Sequence, residues 1–133
     1  MSLNKKNTIL VVEDEIFLLE MIIGELVSSG FNIVSCRTVK QAKNLMQDIP
    51  DIHAVWLDHY LPGANGLEFV RYLRRSHKWD GLPVFVVSNT SDQEVADLYK
   101  THGAHHFYTK VRTPLSDIAK DIKECLDDST KKN

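Results

Sequence analysis

Five short apolar runs, each followed by an amphipathic stretch of helix length, constrain this chain more than any other feature. Ile9 to Val12, Phe31 to Val34, Ala54 to Leu57, Val84 to Val87 and His105 to Thr109 read as strands. Strands that are apolar without alternation are covered on both faces, and helix-length connections imply right-handed crossovers between parallel neighbours. The intervening stretches carry helical signals. Ile16 to Val27 places Ile16, Leu19, Ile23, Leu26 and Val27 on one face and stops at Gly30. Thr38 caps a helix with Ala42, Leu45, Met46 and Ile49, ended by Pro50. Asn65 or Gly66 opens one with Leu67, Val70, Leu73 and Arg74, and Asp92 caps a weaker one with Val95, Leu98 and Tyr99. Leu115, Ile118, Ala119, Ile122, Cys125 and Leu126 form the last stripe. Five such units predict an α/β fold, a doubly wound five-stranded parallel sheet with five helices.

Length and charge narrow the function classes. The chain has 133 residues, enough for one self-sufficient core, expected over 8–128 with flexible termini at 1–7 and 129–133. Sixteen basic and 18 acidic residues leave a net charge of −2, which argues against direct binding to nucleic acid or anionic membranes. Two cysteines, Cys36 and Cys125, form no disulfide framework and suit a reducing compartment. No apolar run approaches the ~18 residues of a membrane span, and with a polar N-terminus no secretory signal is expected. The expected location is cytoplasmic. After the fifth helix only a short tail follows, so any output domain or downstream protein is expected to lie outside this chain.

In doubly wound sheets ligands gather outside the C-terminal ends of the strands. Strand 1 ends at Glu13 and Asp14, strand 3 at Asp58, strand 4 at Ser88 and strand 5 at Lys110. Three carboxylates brought together need a compensating cation, and hard oxygen donors without cysteine suit Mg²⁺. An ammonium and a hydroxyl beside them suit phosphoryl oxygens, and a carboxylate can itself be the nucleophile.

The order of these residues resembles the receiver domain of two-component response regulators, from about Thr8 to Asp128. The matching segments are Ile9 to Glu15, Val55 to Asp58 with Leu61 to Glu68, Pro83 to Ser88, and Gly103-Ala104 through Thr109-Lys110. The resemblance implies the flavodoxin-like strand order 2-1-3-4-5. It also implies Asp58 as phosphoacceptor, Mg²⁺ held by Asp14, Asp58, the Tyr60 backbone carbonyl and, mainly through water, Glu13. Ser88 and Lys110 would contact phosphoryl oxygens, and Phe107 would be the aromatic switch. A histidine kinase or phosphotransfer protein would be the donor, with a surface of the fourth helix, fifth strand and fifth helix (Asp97, Tyr99, Phe107, Lys120) as the readout and as a route to homodimers. Such a protein catalyses its own phosphorylation and slow dephosphorylation but is not an enzyme acting on other substrates.

Other readings compete. Asp14 could simply cap the first helix, Asp58 support a turn, Ser88 end a strand and Lys110 be solvated. An aspartyl-nucleophile phosphatase would want a second Asp where Tyr60 stands, and an FMN site would be repelled by Glu13-Asp14-Glu15. The remaining alternative is a phosphorylation-independent interaction module. His102, His105 and His106 read as surface histidines, and Arg71, Arg74, Arg75 and Lys78 as a solvated basic face supported by Glu68. Val111 stands where the family has a cis proline, so a trans Lys110–Val111 bond and a looser loop are expected. His59 and Asn89 also depart from the family, and bulky Tyr60 is expected to prolong the phosphoryl state.

Overall fold

A computed structural model describes residues 6–131. Five strands, β1 (Thr8–Val12), β2 (Asn32–Cys36), β3 (Ala54–Leu57), β4 (Val84–Ser88) and β5 (His106–Thr109), alternate with five helices. These are α1 (Ile16–Ser28), α2 (Val39–Asp48), α3 (Gly66–Arg75), α4 (Gln93–Thr101) and α5 (Leu115–Lys131), with a 3-10 turn at His77–Trp79. All strand pairs are parallel, in the order β2-β1-β3-β4-β5. This is the flavodoxin-like order that the sequence led us to expect. The expected flexible ends at 1–5 and 132–133 lie outside the described residues, and 129–131 continue the α5 backbone.

Because successive strand side chains point to opposite faces, each central strand feeds two cores. Leu10, Val12, Val55, Leu57, Val84 and Val86 face α2, α3 and α4, where Phe69, Val70 and Leu73 meet them. Ile9, Val11, Trp56, Phe85 and Val87 face α1 and α5, against Ile22, Leu26, Ile118 and Ile122. Each fully buried large side chain adds about 1.5–3 kcal/mol, so the sheet is held from both sides.

Caps set the helix starts that aim loops at the strand ends. The side chains of Thr38, Asn65 and Asp92 accept from Gln41, Glu68 and Glu94 N–H. Gly30 ends α1 with φ +97°, a conformation that favours glycine.

Several expectations needed correction. α1 buries Ile22 and Leu26, whereas Ile16 and Val27 are exposed. The run is apolar nearly all round, so period alone could not choose the face that the sheet covers. Phe31 is buried but precedes β2, which runs two residues further, to Cys36. Leu98 faces outward, whereas Tyr99 is fully buried, as its place on the apolar stripe of α4 implied, and so is not part of the readout surface also expected of it. β5 starts at His106 rather than His105. Arg74 does not belong to a solvated face: its guanidinium donates to the carbonyls of Trp79, Leu82 and Gly103 at 2.6, 2.7 and 2.8 Å. Turn carbonyls left without strand partners supply that site. Glu68 pairs with Lys43 of α2 at 3.1 Å rather than supporting Arg71.

Candidate functional site

The register of β1 on β3, with Val12 opposite Leu57, puts the residues that follow each strand side by side. Ladder bonds continue one step past the strands: Asp58 N–H donates to the Val12 carbonyl at 3.0 Å and Glu13 N–H to the Cys36 carbonyl at 3.1 Å. That extra rung fixes the backbone beneath both carboxylates. Glu13, Asp14 and Asp58 bring one oxygen each within 4.8 Å of one another, the only such cluster among the described residues. Glu13 and Asp58 are buried and Asp14 is half-buried. Two further contacts hold the β1 end: Glu13 accepts from Glu15 N–H at 3.1 Å, and Arg37 donates to the Asp14 carbonyl at 2.8 and 3.1 Å. Arg37 had no role in the sequence reading. Asp14 does not cap α1, whose N-cap residue is Glu15 and has no side-chain cap bond.

Lys110 enters from the far side of β4. Its N–H donates to the Ser88 carbonyl at 2.8 Å, continuing the β4–β5 ladder. Its Nζ lies 3.0 Å from Glu13 Oε1 and 3.5 Å from Asp58 Oδ1. Asp58 Oδ1 is buried without a hydrogen-bond partner. Burial, and after it the Glu13 carboxylate, push the Asp58 pKa up to about 6, against the opposing pull of Lys110 and of the His59 N–H. One ammonium therefore does not compensate three carboxylates. The set is hard, oxygen-only and short of positive charge, which fits a divalent cation such as Mg²⁺.

Ser88 closes β4, fully buried, and its hydroxyl accepts from Thr90 N–H at 3.2 Å. Phe107 of β5 is half-buried and packs on the Tyr99 ring, with centroids 5.7 Å apart. Tyr60 is 57% exposed, and its ring meets His59 edge-on. The Lys110–Val111 bond is trans, and Lys110 reaches the carboxylates with it. The loop that follows is closed by Arg112 and Thr113 N–H on the Thr109 carbonyl at 3.0 and 3.2 Å.

A cavity of about 660 Å³ opens beside the carboxylates, bounded by Asp58, Lys110, Tyr60, Met21, Val111 and Leu115. Trp56 also lines it, and the buried Trp56 Nε1 has no hydrogen-bond partner. Val111, which lines it, is 83% exposed. His105 and His106 are exposed, as expected of surface histidines. No period or motif in the sequence pointed to the contact between His59 Nδ1 and the Tyr99 hydroxyl, 2.6 Å apart. It joins residues forty positions apart.

Comparison with known proteins agrees with this geometry. A model of the response regulator receiver domain matches residues 9–123. The phosphate regulon transcriptional regulatory protein PhoB of Escherichia coli K12 is 32% identical over 113 residues, 84% of this chain and 48% of PhoB. The chain thus spans about half the length of this curated relative. The two-component response regulator ORR11 of Oryza sativa subsp. indica is 26% identical over 84% of this chain and 76% of its own length. A CheY-like receiver domain protein from Methanospirillum hungatei JF-1 superposes with a TM-score of 0.87 at 20% identity, covering 97% of this chain and all of the other. The BeF3-activated DrrB receiver domain superposes with a TM-score of 0.80 at 23% identity, over 92% of this chain and 99% of that one.

Proposed function

The chain belongs to the response regulator receiver domain family, and from that premise we propose that it is a switch phosphorylated on Asp58. The observation that carries this reading is the buried Asp58 Oδ1, left without a hydrogen-bond partner between Glu13, Asp14 and Lys110. A buried carboxylate oxygen that no hydrogen bond meets, with an ammonium only as near as 3.5 Å, is costly unless something arrives to satisfy it.

In this reading a phosphorylated histidine of a sensor kinase or phosphotransfer protein presents its phosphorus to Asp58. A carboxylate oxygen of Asp58 attacks, the P–N bond breaks, and the imidazole leaves with its electron pair and takes up a proton. Mg²⁺, when bound, offsets negative charge that gathers on the phosphoryl oxygens. Asp14, Asp58 and the Tyr60 carbonyl would hold it, with Glu13 acting mainly through water. Lys110 Nζ would move from Glu13 toward one phosphoryl oxygen, and the Ser88 hydroxyl would bond another. Hydrolysis of the acyl phosphate by water resets the switch, and exposed Tyr60 slows that water's approach. The chain acts on itself, once per donor, rather than turning over a separate substrate.

Phosphorylation would bias the face made by α4, β5 and α5, where Asp97, Leu98 and Lys120 are exposed and Phe107 is half-buried. That face would meet a downstream protein, an output domain or a second copy. The folded unit would be 8–128, working in the cytoplasm. No helix among the described residues is long and apolar enough to cross a membrane.

The test is an intact-mass measurement after incubation with Mg²⁺ and acetyl phosphate, beside Asp58→Asn. One added phosphoryl group that requires both Mg²⁺ and Asp58 is expected. No gain by folded protein would sink the proposal in favour of a phosphorylation-independent interaction module.

A further inference from the structure

Tyr99 is the largest polar side chain of α4, and it is 0% exposed. Its hydroxyl sits where three segments meet. It lies 2.6 Å from His59 Nδ1, and the Leu67 N–H at the start of α3 faces it. His59 is the residue directly after Asp58, and its N–H donates to the Asp58 carboxylate. Gly66 closes the same loop by donating to the His59 carbonyl at 2.9 Å. A Cβ on Gly66 would come within 2.5 Å of the Asp58 carbonyl and 2.7 Å of the Tyr99 hydroxyl, so only glycine lets these groups approach. On its other side the Tyr99 ring packs on Phe107.

One hydroxyl of α4 thus holds the start of the loop that carries Asp58 and Tyr60 and lies close against its end at Gly66. We propose that the His59–Tyr99 hydrogen bond couples occupancy of Asp58 to α4, with Tyr99 as a positioning residue for the loop. The inference rests on the phosphoacceptor reading above and adds a route that bypasses Ser88 and Phe107. The physical reason is burial. Pulling α4 away from the loop leaves a phenol and an imidazole nitrogen without partners, so α4 and the loop move together. Coupling of this kind is reciprocal: what the loop does to α4, α4 does to binding at Asp58.

The experiment compares the wild-type protein with Tyr99→Phe, His59→Leu and the double variant. Mg²⁺ with beryllofluoride serves as a non-hydrolysable phosphoryl mimic. Affinity is read by calorimetry, and the response of α4 by amide hydrogen exchange over 93–101 with and without the mimic. The wild type is expected to change its α4 exchange on binding. Tyr99→Phe keeps the ring and is expected to lose at least half of that change, with affinity moving about fivefold or more. The double variant should be no worse than Tyr99→Phe, because both substitutions cut the same bridge. A purely structural role would lower stability but leave the α4 response intact, and that result in folded variants overturns the proposal. Should Tyr99→Phe fail to fold, His59→Leu at its half-buried site decides alone by the same criterion. A wild type that binds no beryllofluoride overturns the phosphoacceptor reading itself, and this coupling with it.

Discussion

Arg74 and Lys110 place cations at opposite ends of the same sheet, and the two sites are finished differently. At the N-terminal end, the Arg74 guanidinium meets the carbonyls that precede β4 and β5, Leu82 and Gly103, and also Trp79, with bonds of 2.6 to 2.8 Å. Both of its terminal nitrogens donate to turns that need them. At the C-terminal end, Lys110 has one close carboxylate at 3.0 Å and a second at 3.5 Å, and Asp58 Oδ1 stays without a hydrogen-bond partner. A planar, multi-donor cation suits a fixed structural site, while a point charge on a flexible stem suits a site whose partner changes. The first end is complete as folded. The second is stable only because the rest of the sheet tolerates its unmet charge.

The largest effect should come from breaking the completed end. Arg74→Ala leaves the Leu82 and Gly103 carbonyls without their donor and the Trp79 carbonyl with only the Leu82 N–H, and is expected to cost about 2–4 kcal/mol in urea unfolding. Folded Arg74→Ala should still accept a phosphoryl group, because nothing near Asp58 is touched. A loss of under ~0.5 kcal/mol would show that the clamp is decorative.

Neutralising the incomplete end should act in the opposite direction. Asp58 has a folded pKa of about 6, against 3.8 for the free group. Between those values the folded state binds more protons than the unfolded state, so the wild type loses stability as pH rises from about 4 through about 6. Asp58→Asn removes that loss. It should match the wild type at pH 4 and exceed it by about 1–3 kcal/mol at pH 7, with Tm against pH as the measurement. Millimolar Mg²⁺ should raise the wild-type Tm at pH 7 and narrow the gap. Equal Tm values across the pH range would mean that the carboxylate cluster carries no strain.

The smallest stability effect belongs to the rim of the site. Tyr60→Ala removes a largely exposed ring and should change stability by no more than ~0.5 kcal/mol. Its consequence should be kinetic: the phosphoryl group on Asp58 is expected to hydrolyse several-fold faster, measured by decay of the phosphorylated mass. An unchanged rate would free Tyr60 from any shielding role.

Much of this was legible from periodicity and strand-end residues. β3 was placed residue for residue, the caps Thr38, Asn65 and Asp92 act as caps, and the α5 stripe of Leu115, Ile118, Ala119, Ile122 and Leu126 is buried or half-buried. The structure brings Glu13, Asp14, Asp58 and Lys110 together as their strand-end positions implied. α1 was misread because eight residues such as Ile16 to Ile23, with a single Glu20 among them, hold no polar face to mark the outside. Tyr99 was misread because a tyrosine on a weakly patterned helix looks amphipathic until its hydroxyl is seen to have partners.

The sequence by itself determined the parallel sheet, the order of its elements and the identity of the groups at its C-terminal edge. Those follow from local patterns: strand period, helix period, caps and turn residues act over a few positions, and each leaves a mark where it acts. Only the tertiary structure decided which of those groups are satisfied. Whether Arg74 meets three carbonyls, whether Asp58 Oδ1 meets none, and whether Tyr99 reaches His59 depend on segments tens of residues apart arriving at the same point. No local pattern encodes that distance, because hydrogen-bond satisfaction is a property of neighbours in space rather than in the chain.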